Sequence, residues 1–250
     1  MKILLINPNT SDALTDLLTR AARSVLPEGA TLDSVTAPRG VPYISTRTEA
    51  VFGGVSVLEI LAERHHDYDA AIVAAFGDPG LGAARELFDI PVVGLAEAGM
   101  LTACMLGGRF SIVTFARALG PWYRECVDWH GLQARCAGIR MLDGAFRSIS
   151  EVQAEKADLL VDLAMRAVEE DGADVIVLAG APLAGLAPEV RERIPVPVVD
   201  CAQAALRQAT TLAALRPVGA RCGSFARPAA KPSVGLSEAL ASRIAHTDHA

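Results

Sequence analysis

The residues best placed to do chemistry lie in two glycine-rich turns about 105 positions apart. Residues 71–95 read AIVAAFGDPGLGAARELFDIPVVGL, and residues 175–201 read VIVLAGAPLAGLAPEVRERIPVPVVDC. Each copy is a buried-type strand, a Gly/Pro-rich turn, a short helix, an Ile-Pro or Val-Pro step, and a strand ending in PVV. Two copies in 250 residues predict two similar lobes related by a pseudo-two-fold. The turns at 76–81 and 180–186 then face each other over one interlobe cleft. Such a cleft addresses opposite faces of one small, flat molecule.

Around these turns the candidate groups fall into three sets. Phe76 and Gly77 offer a stacking ring and backbone N–H groups, and Gly180, Ala181 and Pro182 present a wall with almost no side chain. Asp78 is a candidate proton carrier, although an Asp before Pro also closes turns. Asn7, Asn9 and Thr10 follow an apolar run and precede a helix start, where unpaired N–H groups bind ligands in open α/β sheets. Thr114 is their counterpart in the second copy. Tyr43, Ser45 and Arg47 sit in a polar loop, and Arg47 suits a substrate carboxylate. Arg117 is a similar candidate. Glu97 and Gln203 hold equivalent places after the fourth strands, Glu97 as base or cap. Cys201 opens a helix at a strand end, where the dipole lowers a thiol pKa; the alternative is a small buried hydrophobe.

The elements needed to position these groups follow from hydrophobic pattern. Residues 2–6, 32–36, 110–114, 139–142, 175–178 and 196–199 read as strands. Leu14, Leu17, Leu18, Ala21 and Val25 recur at helical spacing behind Ser11 and Asp12, a cap and an acidic first turn. Helices are also predicted over 48–64, along Val152–Ala167 and over 236–245. Strand–helix alternation throughout implies an α/β chain with parallel sheets covered on both faces. Residues 1–99 with 212–250 are assigned to one lobe and 100–211 to the other.

Composition narrows the class of partner. With 51% hydrophobic and 21% charged residues, a core is affordable. A net charge of −6 argues against nucleic acid or an anionic membrane. The opening MKILLINPNTSDAL is no signal peptide, and no run is long enough to span a bilayer, so a cytoplasmic location is expected. The five cysteines form no CxxC and are expected as free thiols. Cys104, Cys126, Cys136 and Cys222 lack the placement of Cys201. None of the five histidines shows a ligand spacing with a carboxylate or cysteine, so no metal is expected. His65 and His66 read as surface residues.

The motifs INPNTS at 6–11, FGDPGL at 76–81, PVVG-x-x-EA at 91–98, FSIVT at 110–114 and VIVLAGAPLAGL at 175–186 resemble the hydantoin racemases of the aspartate/glutamate racemase superfamily. The resemblance covers nearly the whole chain, in order. It implies two Rossmann-like lobes, an active site between them, no cofactor, a hydantoin-like or cyclic-ureide substrate, and a homo-oligomer.

The departure from that family is as informative. Its members carry a cysteine before FGDPGL and another after the strand of the second repeat, working as base and acid on opposite faces of one carbon. Here those places hold Ala75 and Gly180, or Ala179 with a one-residue slip. Neither can move a proton, whereas racemisation needs one group to remove it and another to return it. The favoured expectation is therefore hydrolytic or eliminative chemistry at the ring. Racemisation by unusual bases such as Asp78 or Cys201 is the first alternative, and a non-catalytic binding homologue the second.

Overall fold

A computed structural model describes residues 1–143 and 152–248. The first repeat runs β1 (Lys2–Asn7), α1 (Asp12–Arg23), β2 (Thr31–Thr36), α2 (Arg47–Arg64), β3 (Ala70–Val73), α3 (Leu81–Leu87), β4 (Val92–Gly94) and α4 (Leu95–Leu106). The second runs β5 (Phe110–Thr114), α5 (Gly120–Trp129), β6 (Cys136–Met141), α6 (Val152–Asp171), β7 (Val175–Leu178), α7 (Ala187–Val190), β8 (Val198–Asp200) and α8 (Cys201–Leu215). A last helix, α9 (Glu238–Ala245), follows. The two sheets have the same order, β2-β1-β3-β4 and β6-β5-β7-β8, and every pairing is parallel. This is the expected α/β architecture of two like lobes.

The central strands explain their own positions. Ile3 to Ile6, Ala70 to Val73 and Val175 to Leu178 are almost wholly buried. Continuous apolar runs of this kind suit strands covered on both faces. Helix starts are capped locally. Ser11 accepts from the Leu14 N–H at α1, and Thr46 with Glu49 forms a reciprocal capping box at α2.

The lobes are interleaved rather than merely apposed. Helix α4 packs on β7 and β8 of the second sheet, while α8 packs on β1, β3 and β4 of the first. The two helices cross closely: a Cβ on Gly99 would lie 2.6 Å from Cys201 Sγ. Helix α8 thus touches strands of both sheets. The chain then closes on the first lobe through α9, which packs on α2. His65 is buried, not on the surface, with Nδ1 2.8 Å from the Leu61 carbonyl. His249 lies outside the described residues. Among the described residues, no helix is long and apolar enough to cross a membrane.

Each glycine-rich turn is gripped by the other repeat's first helix. Helix α1 packs on the turn at 181–183, and Trp122 and Trp129 of α5 cover Gly77 and Gly82. The first turn is also pressed against α2 at Gly80, whose φ is +79°. A Cβ there would fall 2.9 Å from Gly54 Cα and 3.0 Å from its carbonyl oxygen. Gly80→Ala therefore meets both a disfavoured backbone conformation and a backbone wall. The expected loss is about 1–3 kcal/mol, read as a lower urea midpoint. An unchanged midpoint would show that this contact does not hold the turn.

Candidate active site between the lobes

The geometry starts from two buried carboxylates that tie each turn to the next helix. Asp78, with φ of +50°, sets its carboxylate on the start of α4. Its oxygens accept the Ala96 N–H at 2.8 Å and the Glu97 N–H at 2.9 Å. Gly94 makes the room: a Cβ there would lie 2.3 Å from the Asp78 carboxyl. In the second repeat the place of Gly94 is taken by Asp200. Its Oδ1 caps α8 through the Ala202 and Gln203 N–H groups, and its Oδ2 reaches back to the Gly185 N–H at 2.5 Å. The same junction is made twice, with the acid on the turn once and on the helix once. Burial pushes both carboxyls up, and the hydrogen bonds they receive oppose that.

The seam between the turns is lined by rings. Phe76 packs on Tyr123 with centroids 4.5 Å apart, and Phe115 lies 5.9 Å from Tyr43. Gly180 completes this wall at φ +111°. A Cβ on it would stand 2.8 Å from Phe115 Cε1 and 3.3 Å from the Tyr123 hydroxyl. Ala75 and Ala181 are each 7% exposed. One polar atom here is unsatisfied: the Tyr43 hydroxyl is buried and has no hydrogen-bond partner. Such a group costs about 1–3 kcal/mol unless something pairs with it. Burial first, and Glu49 second, push its pKa up, so the phenol stays protonated and is a donor.

Tyr43, Phe76 and Gly180 thus lie around Phe115 and Tyr123, but most other expected contacts are spent elsewhere. Asn7 donates to Asn9, the Ser11 carbonyl and Thr15, so its amide shapes the turn rather than meeting a ligand. Asn9 keeps only its Nδ2 hydrogens to offer, because its Oδ1 accepts from Asn7 and the Ser11 N–H. Thr10 is half-buried and anchors its loop through Val41. Thr114 is fully buried and donates to the Ala179 carbonyl, which bridges β5 and β7 instead of facing a substrate. Ser45 holds Glu49. Arg47 is bound bidentately to Glu125 across the lobes, and Arg117 pairs with Asp143. Glu97 pairs with Arg85, and Gln203 donates to Ser24. Pro182 is buried, its carbonyl accepting from Gln153.

Cys201 is the clearest correction. It is 4% exposed, and its thiol donates to the Leu178 carbonyl at 3.3 Å beneath Gly99. Burial, with Asp200 and Asp78 nearby, pushes its pKa far up, overriding the helix terminus. It is a buried residue, and both it and Asp78 are engaged by backbone groups.

Sequence reasoning missed a cluster behind the first turn. His130 Nε2 lies 3.1 Å from Asp78 Oδ2, and its Nδ1 lies 3.6 Å from Glu97 Oε1. Cys126, one helical turn before His130, joins them: the three donor atoms of Asp78, Cys126 and His130 all lie within 4.8 Å of one another. The signal was present as Cys-x3-His, which sets two side chains on one helix face.

Known proteins match most of the chain. The family described as Asp/Glu/Hydantoin racemase matches residues 3–209. A hydantoin racemase of Paenarthrobacter aurescens is 35% identical over 233 residues, 92% of this chain and 99% of that protein. One from Pseudomonas sp. (strain NS671) is 33% identical over 239 residues, 95% and 96% of the two chains. The structure of allantoin racemase from Klebsiella pneumoniae superposes with a TM-score of 0.90 at 34% identity, covering 96% of this chain and 98% of that one. Arylmalonate decarboxylase shares the fold, with a TM-score of 0.59 at 20% identity.

The burial pattern predicts thiol reactivity. Under native conditions iodoacetamide should alkylate exposed Cys222 first and half-buried Cys104 more slowly. Cys126, Cys136 and Cys201 should react only after denaturation. Peptide mapping by mass spectrometry checks this, and native labelling of Cys201 at the pace of Cys222 would return it to the list of catalytic candidates.

Proposed function

The chain belongs to the Asp/Glu/hydantoin racemase family, and on that premise we propose that it is an enzyme acting on a hydantoin-class cyclic ureide held between the two lobes, by hydrolytic or eliminative chemistry on one face of the ring. The reading is supported above all by Ala75 and Gly180, which leave both walls without a proton-moving side chain where two thiols would stand. A carbonyl of the ring suits the unpartnered Tyr43 hydroxyl, which would donate to it and draw charge from the carbon beside it. Gly77, Gly180 and Ala181 would leave room for a flat ring, with Phe76 and Phe115 beside it.

A racemase reading has the activity named for the relatives in its favour. It requires a base and an acid on opposite faces. Asp78 and Cys201, the obvious replacements, are committed to α4 and to the Leu178 carbonyl.

Solvent deuterium separates these readings. Single enantiomers of allantoin and of a 5-substituted hydantoin are incubated with the protein in D2O and followed by proton NMR and chiral chromatography. The proposal expects a new product, with no deuterium at the stereocentre of unreacted substrate. Rapid racemisation with deuterium uptake would refute it, and binding without turnover would leave a ligand-binding homologue. Tyr43→Phe should weaken ligand affinity about 3–10-fold, the worth of one hydrogen bond, while leaving the melting temperature unchanged or higher. Calorimetric titration measures the first and a thermal scan the second. Unchanged affinity would remove Tyr43 from the site.

A further inference from the structure

We propose that Asp78, Cys126 and His130 form a binding site for a soft divalent cation of the zinc class, at the junction between the first glycine-rich turn and α5. The donor set is of the right kind: carboxylate, thiolate and imidazole are the three zinc ligand types. The spacing is also right. Tetrahedral zinc bonds of about 2.0–2.3 Å set donors roughly 3.3–3.8 Å apart, and His130 Nε2 already lies 3.1 Å from Asp78 Oδ2. All three donors fall within 4.8 Å, so small side-chain rotations close the set. The cation takes the place of the hydrogen between His130 and Asp78. The Cys126 thiol proton leaves to solvent, and the imidazole proton sits on Nδ1.

Two further features point to a ligand rather than to packing. The first is the support behind the imidazole. His130 Nδ1 faces Glu97 Oε1 at 3.6 Å, and Glu97 is itself gripped by Arg85. A carboxylate behind a histidine orients the ring and raises its basicity toward a metal. The second is the equivalent junction in the other repeat. There α1 meets the second turn, and the place of Glu97 and His130 is taken by Gln203 donating to Ser24 at 2.9 Å. A neutral hydrogen bond does the structural work there, so the fold alone does not call for an acid–thiol–imidazole set. Three protein ligands leave a fourth position open. Asp78 and Cys126 also line a pocket of about 440 Å³, together with Gly80, Leu81, Trp122, Glu125 and Trp129. A water or a small anionic ligand would complete the coordination.

The site is independent of how the cleft acts on its substrate, and its test does not read turnover. Metal-free protein is titrated with Co2+ and followed by absorption, then with Zn2+ in competition. The expected result is one equivalent of Co2+ with a thiolate-to-cobalt charge-transfer band, displaced by Zn2+, and a higher melting temperature with either ion. Cys126→Ser should abolish the band, and His130→Ala should weaken Co2+ binding by at least about tenfold, the loss seen even for supporting partners. Circular dichroism confirms that each variant is folded. Because the natural protein is itself decisive, a variant that fails to fold leaves the test intact. No saturable binding to the natural protein would overturn the proposal. So would binding without the thiolate band, or binding that both variants retain.

Discussion

Everything in the cleft depends on where two buried carboxylates are spent. Asp78 and Asp200 each bind a glycine-rich turn to the N-terminus of the next long helix, where unpaired N–H groups and the dipole favour negative charge. Hydrogen bonds to a charged group are worth about 1.5–3 kcal/mol each; they oppose the burial, which still leaves both carboxyls raised. The repeats solve the same problem in mirror fashion. Gly94 is empty so that Asp78 can enter from the turn, whereas Asp200 fills the corresponding place and reaches back. Each acid is thereby committed to its helix. The walls of the seam are backbone, small residues and rings.

That commitment leaves the frame independent of the side chains at Ala75 and Gly180. The turns are positioned by contacts that do not need a side chain at Ala75 or Gly180: Gly80 against Gly54, α5 over Gly77, and α1 against residues 181–183. Gly180 has little room for a side chain. Its φ is +111°, and Phe115 and the Tyr123 hydroxyl lie in the space a side chain would need. Reinstating a cysteine there would demand movement of Phe115. Beside it, the buried Tyr43 hydroxyl is without a hydrogen-bond partner.

The fold was legible because its signals are local or repeated. Apolar runs such as KILLIN and AAIV announce central parallel strands, and the doubled strand–turn–helix pattern announces two sheets of one order. Phe110–Thr114 and Val175–Leu178 fall where the pattern puts them. The turns that form the cleft were legible for the same reason. Side-chain commitments were not, because their partners are remote in sequence. Arg47 finds Glu125, 78 residues on, and Asp78 finds His130, 52 residues on. Cys201 shows a different failure. Its place at a helix start was read correctly, but the crossing of α4 over α8 buries it, and burial outweighs the dipole. Helix interleaving is a property of tertiary packing that no window of sequence carries.

The account stands on a small planar ureide occupying the seam with no thiol beside it. A crystal structure of the protein with a 5-substituted hydantoin tests this most directly. The account predicts the ring lying between Phe76–Gly77 and Gly180–Ala181, with a carbonyl within hydrogen-bond distance of the Tyr43 hydroxyl and no sulfur in contact with the ring. A ring seated with Cys201 or Cys126 Sγ against its carbon, or a ligand lodged outside the seam, would contradict it.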